Sequence, residues 1–104
     1  MLFCTTWKTR GDSPEQADRM MAVWGKLEAD MAARSDIERE CWYISADGTR
    51  GMTVVRASDP DAALAFNLET TLALGEFLEL DTRPVLDLDT AMPAIAAGLE
   101  RAKG

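Results

Sequence analysis

The sequence has no histidine among its 104 residues. Histidine is the usual general base near neutral pH and the commonest metal ligand, so Ser-His-Asp sets, Cys-His sets and His-rich zinc sites are excluded within this chain. Cysteine is nearly as scarce, and Cys4 and Cys41 have neither CxxC spacing nor enough partners for a zinc site. We therefore expect no metal site, and we interpret both cysteines as buried thiols of a reducing compartment, with a bridge between them left open.

Positive charge is also in short supply, with 11 Lys plus Arg against 18 Asp plus Glu and a formal net charge of −7. Residues 57–104 hold 9 acids and 3 bases, which is −6 of that total. Because binding to phosphate or to an anionic membrane surface needs clustered bases, we expect no nucleic-acid and no membrane partner. The N-terminus lacks a signal-type segment, and no run approaches the roughly 20 apolar residues of a membrane span, which predicts a cytoplasmic protein.

A length of 104 residues with 47% apolar composition is typical of one globular domain, so residues 1–104 are predicted to form a single domain. Residues 2–9 are rich in β-branched and aromatic side chains and predict a strand. Ser13, Pro14 and Gln16 then have the spacing of a capping box with proline at the first helical position. The helix is predicted to run to about Arg34, with apolar residues at helical spacing: Ala17, Met20, Met21, Trp24, Leu27 and Met31.

A hairpin is predicted next, because Asp47-Gly48 suits a type I′ turn between residues 37–46 and residues 49–57. A two-residue loop pairs Tyr43 with Met52. One face of the hairpin then collects Cys41, Tyr43, Ser45, Arg50, Met52 and Val54, and the other collects Trp42, Ile44, Gly51, Thr53 and Val55. Both faces carry apolar side chains, so we expect both to be covered.

The second half predicts a helix, a strand and a final helix. Asp59 and Pro60 begin a helix that extends to about Leu74, and Leu64, Ala65, Leu68 and Leu72 share one stripe of it. Residues 77–86 read as a strand, in which Pro84 favours an edge position or the strand's end. Asp89 or Thr90 is expected to cap the last helix, whose apolar positions include Met92, Ile95, Ala96 and Leu99.

This order of elements is the βαββαβ arrangement of α+β, ferredoxin-like folds with a C-terminal helix. Helices then cover one face of an antiparallel sheet, and the sheet of a second subunit is the simplest cover for the other apolar face. We therefore predict a homodimer in which two sheets close into a dimeric α+β barrel.

Several motifs resemble a bacterial family of unknown function within the dimeric α+β barrel superfamily. They are Met-Leu-Phe-x-x-x-Trp-Lys at 1–8, Ala-Asp-Gly-Thr-Arg-Gly at 46–51, Val-Val-x-Ala-Ser-Asp-Pro at 54–60 and Pro-Val-Leu-Asp at 84–87, so the resemblance covers nearly the whole chain. Members of that family often have a histidine just before the hairpin turn, where this chain has Tyr43-Ile44-Ser45. The resemblance implies relatives such as cofactor-independent monooxygenases, polyketide cyclases, muconolactone isomerases and haem-degrading enzymes, and by itself it selects no reaction.

Candidate catalytic residues must then work without histidine. Tyr43, the only tyrosine, is a hydrogen-bond donor suited to a developing enolate, and Arg50 can hold a carboxylate or enolate through its guanidinium. The structural alternatives are a tyrosine hydroxyl that reaches a backbone carbonyl or solvent and an arginine that pairs with an acid of a partner chain. The candidate substrate-binding residues are aromatic, apolar or amide side chains: Trp7, Trp24, Trp42, Met52 and Asn67. For the aromatic residues the alternatives are core packing and a dimer interface, and for Asn67 the alternative is a helix face in water.

The leading hypothesis is a homodimer that binds a small apolar or aromatic molecule, acting on an aromatic or polyketide-like enolisable substrate as an oxygenase, isomerase or cyclase without a cofactor. Positioning and charge stabilisation would carry such a reaction. The alternative hypothesis is a non-catalytic binding or protein-interaction module, which the lack of any strong catalytic motif favours.

Overall fold

The computed structural model describes residues 1–11 and 13–104, and its elements follow the predicted order. They are β1 (Leu2–Thr9), α1 (Pro14–Ala32), β2 (Ile37–Ile44), β3 (Arg50–Ala57), α2 (Pro60–Leu74), β4 (Leu78–Val85) and α3 (Leu88–Ala102). The strands form one antiparallel sheet in the order β2-β3-β1-β4. This is the ferredoxin-like βαββαβ fold with an added C-terminal helix, and it confirms the predicted fold class. In the described part of the chain, no helix has the length and apolarity needed to cross a membrane.

Both helices that pack on the sheet begin as the sequence predicts. At the start of α1, the Ser13 hydroxyl accepts from the Gln16 backbone N–H at 3.3 Å, and the Gln16 side chain accepts from the Ser13 N–H at 3.0 Å. This reciprocal pair is the predicted capping box. At the start of α2, the Asp59 carboxylate accepts from the Ala62 N–H at 3.2 Å, with Pro60 at the first position.

The hairpin turn differs from the prediction. The Gly48 N–H donates to the Ser45 carbonyl at 2.9 Å, so Ala46 and Asp47 are the central residues of the turn. A type I′ turn centred on Asp47-Gly48 would need a positive φ at both residues, but of these two only Gly48 has one, of 75°. The Asp47 carboxylate also accepts from the Ser45 hydroxyl and from the Thr49 hydroxyl and N–H, at 2.7, 2.7 and 3.0 Å. These hydrogen bonds lower the pKa of Asp47 to about 2.

The strand register sorts side chains onto two faces of the sheet. Cys41 lies opposite Val54 and Tyr43 opposite Met52, which confirms the predicted pairing within the hairpin. We call the side covered by α1 and α2 the helix-side face and the other side the open face. The helix-side face carries Phe3, Thr5, Trp7, Ile37, Arg39, Trp42, Thr53, Val55, Leu80 and Thr82, and the open face carries Leu2, Cys4, Cys41, Tyr43, Arg50, Met52, Val54 and Val85.

The two cysteines are separated by a strand. Cys4 on β1 and Cys41 on β2 both pair with Val54 on β3, one from each side. With neighbouring strands about 4.8 Å apart, their Cα atoms are about 10 Å apart, beyond the roughly 7 Å that a disulfide spans. Both are free thiols, and a bridge between them within one chain is excluded.

The buried core consists of two small clusters at opposite ends of the helix-side face. One contains Phe3, Ala57 and Ala63, with Ile37 and Val55 packed against it. The other contains Leu74, Phe77 and Leu78, against which Trp7, Met20, Val23, Trp24, Leu27 and Leu80 pack. The space between the two clusters is only partly filled by side chains.

The C-terminal helix projects from the rest of the molecule. Asp87 caps α3 by accepting from the Thr90 N–H at 2.8 Å, so the helix begins earlier than a cap at Asp89 or Thr90 would allow. Of its fifteen residues only Ala91 is half-buried, and the others are exposed. The molecule is accordingly elongated, at 57 × 30 × 22 Å.

Candidate functional site

A cavity of about 120 Å³ lies between the sheet and the two packed helices, in the gap between the core clusters. Its walls are mainly apolar and aromatic. The sheet contributes Phe3, Thr5, Trp7, Ile37, Arg39, Thr53, Val55, Leu80 and Thr82, α1 contributes Trp24, Leu27, Glu28 and Met31, and α2 contributes Ala63, Leu64, Phe66, Asn67, Thr70 and Leu74. A concave apolar site with few polar groups is the usual form of a small-molecule site.

Three polar side chains form a directed hydrogen-bond chain in the cavity wall. The Thr82 hydroxyl on β4 donates to the Asn67 Oδ1 on α2 at 2.7 Å. It also lies 2.7 Å from the Thr5 hydroxyl on β1. A hydroxyl carries one proton, and that of Thr82 goes to Asn67, so Thr5 is the donor to Thr82. The amide nitrogen of Asn67 has no partner among the described residues. Its two N–H groups are therefore free to donate to a bound molecule.

Trp7 occupies the end of the cavity near the hairpin. Its indole lies directly on Gly51 of the neighbouring strand, and a Cβ at Gly51 would overlap the ring. Glycine inside a strand often marks such a close approach. The Trp7 Nε1 is buried and has no hydrogen-bond partner in the described part of the chain. Gly51 therefore fixes the position of this aromatic wall.

The wall on the α1 side is built from stacked groups. The rings of Trp24 and Trp42 stack with centroids 5.3 Å apart and an interplanar angle of 25°. The Arg39 guanidinium lies 4.5 Å from the centroid of the Trp42 ring and donates to both Glu28 carboxylate oxygens, at 2.6 and 3.3 Å. Cation–π contact and bidentate pairing together hold Arg39 in one orientation at the cavity wall. Its Nε is buried without a partner within the described residues.

The sequence-predicted site residues divide between the two faces of the sheet. Trp7, Trp24 and Asn67 line the cavity, and Trp42 lies behind Trp24 as its stacking partner. Tyr43, Arg50 and Met52 lie on the open face, because they share the alternation of Cys41 and Val54. Tyr43 is 67% exposed there. The structure thus brings Trp7, Trp24 and Asn67 together, with Trp42 behind them. Met52 and the two proposed catalytic residues lie on the other face of the sheet.

Sequence reasoning missed five polar members of the cavity wall: Thr5, Thr82, Thr53, Arg39 and Glu28. The sequence does hold a signal for Thr5, because it lies between Phe3 and Trp7 on one face of β1, where an inward face is expected to be apolar. Arg39 carries no such signal. A register shift between Arg39 and Cys41 breaks the alternation of β2 and puts Arg39 on the same face as Trp42.

The arrangement suits the binding of a flat apolar molecule with one polar end. Aromatic rings provide stacking surfaces, and the Asn67 amide provides donors for an oxygen atom. Within residues 1–11 and 13–104, no three His, Cys, Asp or Glu side chains are grouped as a metal site.

Solved structures with the same fold are similar to this chain over most of its length. A protein called Rv0793 from Mycobacterium tuberculosis matches 83% of this chain and 95% of its own, at 17% identity and a TM-score of 0.55. An N63A mutant of SnoaB, a cofactor-independent oxygenase from Streptomyces nogalater, matches 81% of this chain and 90% of its own, at 16% identity and a TM-score of 0.54. An antibiotic biosynthesis monooxygenase matches 83% and 99%, at 12% identity and a TM-score of 0.52. At these identities the likeness shows the fold alone.

No curated protein matches the chain significantly in sequence. One family model does match, over residues 1–99 and therefore nearly the full length, and its description is a domain of unknown function. The ferredoxin-like fold that the chain shares with these structures agrees with the resemblance seen in the sequence motifs. The chain belongs to the DUF3303 family.

Proposed function

We propose that this protein binds a small aromatic molecule of one or two rings in the helix-side cavity and oxidises it with molecular oxygen, without a cofactor. The observation that carries the proposal is an apolar, aromatic cavity in whose wall the Asn67 amide, with free N–H groups, stands at the end of a hydrogen-bond chain. The ligand would stack against Trp7 and Trp24 and place an oxygen substituent on that amide.

The volume of the cavity sets the size of the ligand. A dry apolar cavity of about 150 Å³ in another protein holds benzene. The cavity here, at about 120 Å³, therefore fits one ring, and a second ring would extend toward the mouth beside Leu64. Substrates with three or four fused rings would protrude into solvent.

The reaction that fits these groups needs little from the protein beyond charge stabilisation. In an electron-rich phenol or hydroquinone, loss of a proton leaves an oxyanion, which the Asn67 N–H groups can stabilise. Molecular oxygen is then the oxidant: one oxygen atom enters the ring and the other leaves as water. The name of SnoaB as a cofactor-independent oxygenase supports this reaction class over isomerisation or cyclisation.

We also propose that two copies pair through their open faces, as the dimeric α+β barrel fold of the neighbours suggests. The centre of that face is apolar, with Leu2, Cys4, Met52, Val54 and Val85 half-buried. Tyr43 and Arg50 lie at its hairpin end, so the proposal assigns them to the dimer contact. The two free thiols support the proposed cytoplasmic location.

The alternative, a protein-interaction module, is favoured by one observation. Leu64, Leu68 and Leu72 are exposed on α2, and the apolar positions of α3 are exposed as well. Exposed apolar rows of this kind mark interaction sites. In such a module, substitutions in the cavity would leave binding to the partner unchanged.

Binding of 2-naphthol, followed by quenching of tryptophan fluorescence, tests the proposal. Asn67→Leu removes the free donors and should weaken binding about tenfold, the effect of roughly 1.4 kcal/mol. Thr5→Val should weaken it less, because Thr5 acts through Thr82. Thr6→Val is the matched control: it makes the same change one residue along, on the face of the sheet that points away from the cavity, and should leave the affinity unchanged.

Turnover is tested separately by oxygen uptake with 1,4-naphthohydroquinone, whose expected products are 2-hydroxy-1,4-naphthoquinone and water. Uptake above the uncatalysed rate should fall in Asn67→Leu and persist in Thr6→Val. Binding without turnover would overturn the oxygenase assignment and keep the ligand site. Equal binding by all variants would overturn the site itself.

A further inference from the structure

The outward side of α2 carries a row of leucines with nothing packed on it. Leu64, Leu68 and Leu72 are 47, 59 and 77% exposed and recur every four residues, so they form one ridge along the helix. The inward side of the same helix carries a mixture of apolar and polar residues, among them Ala63, Phe66, Asn67, Thr70 and Leu74. The three exposed leucines lie apart from these contacts, and the α2 leucine row is left without a partner.

The projecting helix α3 has a matching apolar row. Leu88, Met92, Ile95 and Leu99 lie at helical spacing on one side of it, and each is at least half exposed. At 1.5 Å per residue this row is about 16 Å long, and the α2 leucine row is about 12 Å long. Two unpartnered apolar rows of comparable length therefore exist in one chain.

We propose that α3 of one copy packs antiparallel on the α2 leucine row of a second copy. The charges at the helix ends favour the antiparallel direction of α3 relative to α2. Asp59 and Asp61 lie at the beginning of α2, and the bases of α3, Arg101 and Lys103, lie at its end. Antiparallel packing brings these opposite charges together, whereas parallel packing would place the acids at the start of α3 beside Asp59 and Asp61.

The connection to β4 disfavours the same contact within one chain. The end of β4 pairs with Leu2, which also pairs with Arg56 at the end of β3, so α3 starts at the end of the sheet where α2 begins. Only Leu86 and Asp87 separate β4 from α3. A helix that folded back from there onto its own α2 would run parallel to it, with acids against acids. A second copy has no such restriction.

The exposed area of the chain is large enough for this contact. A compact monomer of 11.4 kDa exposes about 5,800 Å² by the usual scaling, and this chain exposes 7203 Å². The excess of about 1,400 Å² exceeds the roughly 800 Å² that each partner buries in a standard interface. Its radius of gyration of 16.6 Å, against about 13 Å for a compact chain of this length, has the same origin in the projecting helix.

The contact would also complete the cavity. Leu64 belongs both to the α2 leucine row and to the cavity wall. The α3 helix of the second copy would therefore lie along the cavity mouth and cover it. This inference stands apart from the proposed oxygenation, because it concerns which copy supplies the cover and holds for any ligand of the cavity.

Disulfide trapping between two differently tagged copies tests the proposal. Both copies carry Cys4→Ser and Cys41→Ser, one carries Leu68→Cys and the other carries Met92→Cys, all at exposed or half-buried positions that circular dichroism can confirm as folded. Mild oxidation should link the two tags. The matched control replaces Leu68→Cys with Lys26→Cys on the exposed side of α1, which should give no link.

Two results would overturn the proposal. One is a bond that forms only when both cysteines are placed in the same chain, which would put α3 on its own α2. The other is no bond in either design. As a second measurement, Asp61→Lys or Arg101→Glu alone should weaken association about fivefold, and the double variant should restore it. Failure of the double variant to recover would contradict the antiparallel direction.

Discussion

Thr82 is the central link of the hydrogen-bond chain, and Thr82→Val should therefore be more destabilising than its conservative shape suggests. Valine keeps the volume and removes the hydroxyl, so the bonds to Asn67 and to Thr5 are both lost. Each such bond contributes about 1 kcal/mol net, and all three residues are half-buried, which gives a loss of about 2 kcal/mol in the free energy of unfolding. For a chain of this size, that corresponds to a fall in Tm of about 10 °C.

Urea unfolding followed by tryptophan fluorescence, at one fixed protein concentration, measures this loss. Thr5→Val removes one bond rather than two and should lose about half as much stability. Thr6→Val should lose almost none, because the Thr6 hydroxyl makes no hydrogen bond to the described residues. The ratio of the stability losses in Thr5→Val and Thr82→Val tests the directed hydrogen-bond chain more sharply than either loss alone. Equal losses for Thr5→Val and Thr82→Val, or a loss for Thr82→Val no larger than for Thr6→Val, would refute the directed chain.

Three further predictions follow from the turn, the sheet and the thiols. Gly51→Ala forces the Trp7 indole away from the strand and should cost about 1–3 kcal/mol with a shift in tryptophan emission, whereas an unchanged spectrum and stability would contradict the close contact. The pKa of Asp47 is lowered to about 2, so its carboxylate stabilises the fold above the ordinary value of 3.8 and this effect is lost as pH falls toward 2. The difference in urea midpoint between the native chain and Asp47→Ala should accordingly shrink between pH 5 and pH 2, and a constant difference would contradict this. Under oxidising conditions a monomeric chain should retain two titratable thiols at Cys4 and Cys41, and recovery of a monomer with an internal bridge would contradict the register.

Local sequence signals predicted the elements and their order well. The capping box at Ser13 and Gln16 depends on residues three apart, and the register of the hairpin follows from a short loop, so neither needs the rest of the fold. The predicted turn type was wrong. Asp47 does not have the positive φ that a type I′ turn needs, and its carboxylate instead accepts hydrogen bonds from Ser45 and Thr49.

The site was harder to predict, because periodicity shows which residues share a face without showing which face is covered. Tyr43 and Arg50 were placed together correctly, yet their face is the open one. In α2 the sequence named Asn67 as a candidate, but the stripe of leucines at Leu64, Leu68 and Leu72 did not show that this stripe would be exposed. Pairing between distant strands, which brings Thr5 to Thr82, is a property of the tertiary structure alone.

Native mass spectrometry of the protein freshly purified from its own host, followed by denaturing analysis of what is released, tests the central claim most directly. We expect one small aromatic molecule with an oxygen substituent per chain, retained in Thr6→Val and lost in Asn67→Leu. An empty protein, or a ligand retained by Asn67→Leu and lost from Tyr43→Phe, would contradict it, because the ligand would then not lie in the helix-side cavity.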